Sequence, residues 1–191
     1  MIINIRGTSG SGKTTVVRGL MAAAQTEQLF ADDSRGNLFG PVHPEAYALH
    51  GISSRPTYLI GSYEQVCGGC DSISTQDGIC DRVRKYAALG HVVFEGLLLS
   101  HLYGRYEALD RELGQPYVWA FLDTPLEVCL DRVRARRIAR GVTKELNPTN
   151  TTQKWGDMRR VAAKAKHAEL DVRWLDHNKA VEEVLSWLRK A

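Results

Sequence analysis

The segment 7-GTSGSGKT-14 constrains this chain more than any other stretch of it. It fits G-x-x-x-x-G-K-[ST] at all four fixed positions, follows the apolar run 2-IINI-5 and opens a helical pattern. Glycines at these points let the backbone curl until successive N–H groups converge. The helix that follows adds its positive dipole end, so the loop is shaped to hold phosphate oxygens. Gly7, Thr8, Ser9, Gly10, Ser11, Gly12, Lys13, Thr14 and Thr15 are therefore the expected phosphate-binding residues. Lys13 can reach the outer phosphates as a mobile point charge, and the Thr14 hydroxyl can sit on a magnesium ion bridging them.

At 191 residues, with 43% apolar and 25% charged side chains, the chain is expected to form one soluble domain over residues 1–191. No run is long and apolar enough to span a bilayer. The start, MIINIRG, lacks a basic region followed by an apolar one, so a cytoplasmic location with four reduced cysteines is expected. The net charge of +3 is unevenly spread: residues 130–166 hold 11 Lys/Arg against 3 Asp/Glu. Such a segment is suited to phosphates of a nucleotide or a nucleic acid.

Apolar runs alternate with helical patterns along the chain. A strand at 2–5 leads to a helix expected from Lys13 to Leu29, then to a Gly-, Pro- and Ser-rich region over 31–71. Within that region 46-AYALH-50 and 57-TYLIGSY-63 read as strands of a small hairpin. A helix to Ala88, a strand 91-HVVFEG-96, a helix at about 103–113 and a strand 117-YVWAFLD-123 follow. A helix from Pro125 through Arg140, a polar loop over 141–156, a basic helix near 157–168, a strand 170-LDVRWLD-176 and a helix at 178–189 complete the order. This alternation argues for an α/β domain with a mostly parallel sheet.

The loop at 7–14 resembles the Walker A loop of P-loop NTPases, and the strand ending in Glu95 resembles their Walker B strand, with its acid near the metal and the acceptor. The C-terminal WLDHNKAVEEVLSWL is similar to the last strand and helix of P-loop kinases, where the joining loop lies against adenine. That resemblance makes Asn178 an adenine-site candidate. It also implies a three-layer fold with a five-stranded parallel core sheet, helices on both faces, and ATP and Mg2+ as cofactors. A GTPase base-reading motif [NT]-K-x-D is missing, and so is a transporter-type LSGGQ signature. Instead, 131-DRVRARRIARG-141 resembles the arginine-rich lid of nucleotide kinases, placed here at about 136–156. Arg132, Arg136 and Arg140 fall on one helix face at i, i+4 and i+8. Arg132 and Arg136 are expected at the transferring phosphate, Arg137 at the nucleotide and Arg140 at the acceptor.

A kinase also needs an acid that accepts the acceptor's proton. If 57–63 is the second core strand, Asp71 follows it at the mouth of the sheet; Asp32 and Asp33 are the rival positions. The 31–71 segment is expected to build the acceptor site, with Tyr63 either lining it or packing beneath it. The stretch SYEQVCGGCDSISTQDGIC, with VVFEGLLLSHLYGRY and the arginine helix, resembles phage-encoded P-loop kinases that phosphorylate 5-hydroxymethyluracil within DNA. This resemblance implies DNA carrying a hydroxymethylated pyrimidine as partner, with basic residues 154–166 along its backbone. A small-molecule kinase and a nucleic-acid-binding NTPase are the alternatives.

Inside that stretch, 67-CGGC-70 admits a zinc half-site, a dithiol or a tight turn. Zinc takes about four ligands, and no second C-x-x-C is present. A redox dithiol belongs at a helix start in a fold of its own. The preferred reading is a turn made possible by Gly68 and Gly69 that aims Asp71.

Overall fold

The computed structural model describes residues 1–31, 43–64 and 68–191. Asp32, Asp33 and Cys67 lie outside them. Strand β1 (Ile2–Arg6) is central in a sheet ordered β2-β3-β4-β5-β1-β6-β7. The strands β4 (Thr57–Ile60), β5 (His91–Glu95), β1, β6 (Tyr117–Leu122) and β7 (Asp171–Leu175) run parallel, giving the five-stranded core that was expected. Antiparallel β3 (Ala46–His50) and β2 (Gln25–Leu29) extend it to seven.

Central strands of a parallel sheet are covered on both faces, and so they read as unbroken apolar runs. In β1, Ile2 packs with Phe94, Trp119 and Phe121 against α2 (Gln76–Ala87), α3 (Gly104–Leu113) and α5 (Thr149–His167). Ile3 and Ile5 point the other way, joining Val93, Val118 and Ala120 against α1 (Lys13–Ala22) and α6 (Ala180–Lys190). Burying each such side chain contributes about 1.5–3 kcal/mol. The result is three layers. Among the described residues no helix is long and apolar enough to cross a membrane.

Three expectations are corrected. The first helix stops at Ala22, not Leu29, and Gln25–Leu29 becomes edge strand β2. Val16, Val17 and Leu20 give α1 a buried stripe, but QTEQL offers nothing to extend it; the open edge of β3 satisfies its backbone instead. The second core strand ends at Ile60 rather than Tyr63, because the chain bends at Gly61 and brings Ser62 opposite Gly69. The polar stretch 141–156 is not all loop. Helix α5 begins at Thr149, where Pro148 precedes it and the Asn147 side chain accepts from the Thr149 N–H at 3.0 Å. The arginine-rich stretch 131–141 lies on helix α4 (Leu126–Ala139) and the first residues of the irregular 140–148.

Candidate active site

The C-terminal ends of β1, β5 and β6 converge on the loop at 7–14, as ligand sites do in open α/β sheets. A cavity of about 560 Å3 opens there. Thr8, Ser9, Gly10, Gly12, Lys13, Thr14 and Thr15 form its floor. Gly10 has φ +80°, and a Cβ there would sit 2.3 Å from the Cys129 carbonyl oxygen of α4. No other residue permits both the turn and this approach. Gly7 and Ser11 support the floor from beneath: the Gly7 N–H donates to Ser100 Oγ at 3.2 Å, and the Ser11 carbonyl accepts from Thr124 Oγ1 at 2.8 Å.

Lys13 Nζ donates to the Gly7 and Thr8 carbonyls at 2.8 and 3.2 Å, leaving one donor of its three for a phosphate oxygen. Burial pulls its pKa below the ordinary lysine value, against the pull of Glu95. Glu95 ends β5, is 1% exposed and accepts from Thr14 Oγ1 at 2.9 Å. Burial pushes its pKa up to about 6, opposed by Lys13 and the Thr14 hydrogen bond.

Among the described residues no cluster of three or more His, Cys, Asp or Glu side chains forms a metal site. Magnesium, however, characteristically takes one or two protein oxygens and completes its shell with phosphate and water. Neighbouring ligands at about 2.1 Å in an octahedron lie about 3 Å apart. The Thr14–Glu95 separation of 2.9 Å fits that spacing.

Asp71 lines the same cavity, from a short 3-10 turn at Cys70–Ser72. Its two oxygens accept from the Leu97 N–H at 3.0 and 2.9 Å, and Oδ1 accepts from the Leu98 N–H at 3.3 Å. The glycines before it bring the turn up to β5: Gly69 has φ +73°, and a Cβ there would lie 2.8 Å from both the Glu95 carbonyl and its Oε1. Cys70 is buried, its thiol pushed well above the usual range by burial, with Sγ 3.8 Å from the Ile60 carbonyl.

Two arginines of α4 reach the cavity. Arg132 and Arg136 both line it, and Arg132 Nη1 also donates to the Gly10 and Ser11 carbonyls at 3.3 and 3.4 Å. Arg137 lies instead in a neighbouring cavity, donating to the Lys144 carbonyl at 2.8 Å. Arg140, at the end of α4, lines neither. Tyr63 is 5% exposed and packs on Tyr47 with ring centroids 5.9 Å apart, so the structure places it under the site rather than in it.

At the far end His177 and Val181 line the cavity, and Asn178 does not. The Asp176 side chain accepts from the Asn178 backbone N–H at 2.9 Å, an Asx-type turn. Sequence reasoning also passed over Arg18, one turn past Thr14 on the same face of α1, and Leu97, two residues past Glu95. For Leu97 the adjacency to Glu95 was an available signal. Four cations (Lys13, Arg18, Arg132 and Arg136) thus face two carboxylates across one space.

The family model described as an AAA domain matches residues 2–164, which include every lining residue except His177 and Val181. The chain is similar to the "5-hmdU DNA kinase" of Pseudomonas phage PaMx11, 41% identical over 157 residues, covering 81% of this chain and 79% of that protein. The protein of the same name from Pseudomonas phage M6 is 35% identical over 140 residues, covering 70% and 71%. That of Delftia phage PhiW-14 is 27% identical over 169 residues, covering 81% of this chain and 59% of its own length. On the loop, the sheet order and these matches together, the chain belongs to the AAA domain family of P-loop proteins, alongside these phage kinases.

Proposed function

We propose that the chain moves the γ-phosphate of ATP to the hydroxymethyl oxygen of 5-hydroxymethyluracil in DNA, in the cytoplasm of the cell where the phage replicates. The observation that carries this reading is the placement of Asp71 in one cavity with Lys13, the Thr14–Glu95 pair, Arg132 and Arg136. The names of the similar phage proteins supply the acceptor.

In this reading the loop amides and Lys13 hold the phosphates, while adenine lies toward His177 and Val181. Thr14 and Glu95 would hold Mg2+, which would supply positive charge to neutralise the phosphates. Arg132 and Arg136 stabilise the charge that spreads over the moving group. The acceptor enters from the side of Asp71, Gly68, Arg18 and Leu97. A bond forms between the hydroxymethyl oxygen and the γ-phosphorus as the bond to the β,γ-bridging oxygen breaks. The hydroxyl proton passes to Asp71, and ADP leaves. Two amide N–H groups, Leu97 shared between both oxygens and Leu98 on Oδ1, hold Asp71 yet leave carboxylate lone-pair capacity for that proton. The 136–156 lid excludes water over the reacting groups, and residues 1–191 act as a single domain.

The test is transfer of label from γ-labelled ATP to an oligonucleotide bearing hydroxymethyluracil, beside the free nucleoside and its monophosphate. Label in the oligonucleotide is expected. Label in a free metabolite alone makes the chain a small-molecule kinase. Phosphate release stimulated by DNA, with no phosphorylated product, makes it an NTPase.

A further inference from the structure

A base in a duplex is stacked and cannot bring its substituent to a phosphate held at the bottom of a cavity. It must be turned out, at a cost of a few kcal/mol. Proteins that open a stack commonly fill the gap with an apolar side chain held on a rigid support. Such a side chain must be exposed in the free protein and next to the pocket that receives the base.

The described residues include six large apolar side chains that face solvent: Phe30, Leu89, Leu98, Ile138, Val142 and Trp174. Leu98, 53% exposed, is the one whose own N–H binds a residue of the catalytic cavity, Asp71. Its neighbour Leu97 lines that cavity. We infer that Leu98 is the wedge that enters the DNA stack when the acceptor base swings into the cavity beside Asp71. The inference rests on the DNA-kinase reading above.

The support is rigid where a wedge needs it. Asp71 clamps the Leu97 and Leu98 amides from one side. On the other, Ser100 Oγ donates to the Gly96 carbonyl at 2.6 Å and accepts from the Gly7 N–H at 3.2 Å, tying the segment to the phosphate loop. Arg6, fully buried, donates to the Leu102 carbonyl at 2.8 Å. The short 3-10 turn at Leu99–His101 packs on α5. That helix carries Lys154, Lys164 and Lys166, which suit the phosphates on either side of an opened step, while its Arg159 and Arg160 pair with Asp123 and Asp157. Lys164 lies over the Tyr103 ring, 4.2 Å from its centroid, just past the turn. Force on the wedge is thereby transmitted to the sheet and the phosphate loop, not absorbed by a pliable loop.

The experiment compares Leu98→Ala with the parent chain on three oligonucleotides. In one, hydroxymethyluracil is paired with adenine in a duplex; in the second it is single-stranded; in the third it faces an abasic site. The expected loss of kcat/KM on the paired duplex exceeds that on the single strand by roughly ten-fold or more, as unstacking of a few kcal/mol requires. The abasic partner should restore most of it, and Leu98→Met should retain duplex activity. An equal loss on all three substrates, or no loss on the duplex, overturns the wedge. So does a parent chain that acts on single strands only, which leaves the DNA-kinase reading standing. A parent chain that labels only free nucleoside or its monophosphate overturns both.

Discussion

The Thr14 hydroxyl donates to Glu95 Oε1 at 2.9 Å, joining the first turn of α1 to the end of β5 at the floor of the cavity. Removing one member leaves the other in a desolvated place without its partner. Thr14→Ala should raise the Mg2+ concentration for half-maximal phosphoryl transfer by about ten-fold or more, because one of two protein oxygens is lost. Glu95→Gln should do the same while preserving shape. Titrating activity against Mg2+ at saturating ATP checks both. An unchanged Mg2+ requirement in both variants would place the ion elsewhere.

The buried Glu95 carboxyl, with its pKa near 6 in the fold, also makes a statement about pH. An unfolded chain releases that proton at about 4.5, so between these values the folded state binds more protons. Stability from this group is complete below pH 4.5 and lost as pH rises through 6. The amount is about 2 kcal/mol. Urea unfolding in EDTA across pH 4.5–7 should show the parent chain losing this much relative to Glu95→Gln. Activity runs oppositely, rising with pH as the carboxylate forms, and added Mg2+ should move that midpoint to lower pH.

Asp71 holds the Leu97 and Leu98 amides and also faces the cavity, and the two roles predict different losses. If it takes the acceptor's proton, Asp71→Asn lowers kcat by roughly 100-fold or more while the KM for ATP stays within about three-fold. If it only steadies the loop, the loss falls on the KM for DNA. Steady-state kinetics in both substrates separates these outcomes.

Much of this site was legible because local rules govern it. The loop at 7–14, the strand ending at Glu95 and the spacing of Arg132 and Arg136 each follow from a short pattern with a mechanism. What escaped depends on distant partners. Gln25–Leu29 has no helical stripe and becomes a strand only because β3 offers an edge. The start of α5 was hidden by the polar run TNTTQK, although Asn147 and Pro148 marked it. Arg137 shares a helix turn with Arg136 yet turns to the Lys144 carbonyl. Gly68 and Gly69 were readable as a turn placing Asp71, but that Gly69 presses against Glu95 itself required the fold.

Arg6 shows how the layer beneath the site is built. Its guanidinium lies 4.0 Å from the Trp119 ring centroid and 5.2 Å from that of Tyr106, with burial lowering its pKa to about 10. With the Asn4 amide turned so that its oxygen faces the guanidinium, it accepts from Arg6 Nε at 3.2 Å and Nη2 at 2.9 Å. Lysine cannot reproduce the planar stack or the paired donors. Arg6→Lys should cost about 2–4 kcal/mol, lowering Tm by roughly 5–12 °C. Calorimetry measures this directly, and a change under about 2 °C would mean the stack contributes little.

His177 and Asn178 adjoin in sequence but differ in placement, which gives a sharp comparison at the end of the cavity where the proposed function seats adenine. His177 lines the cavity, as do Val181, Arg132 and Arg136. Asn178 is drawn into the turn made by Asp176. An imidazole beside a purine offers a flat face for stacking, worth about 1–3 kcal/mol per base in comparable sites. His177→Ala should therefore raise the KM for ATP by roughly five-fold or more and leave the KM for the acceptor within two-fold. Asn178→Ala should change neither by more than about two-fold. Measuring both variants with ATP and with inorganic triphosphate isolates the base contribution, because triphosphate lacks the purine. If His177→Ala weakens both donors equally, the histidine serves the phosphates and adenine binds elsewhere along the cavity.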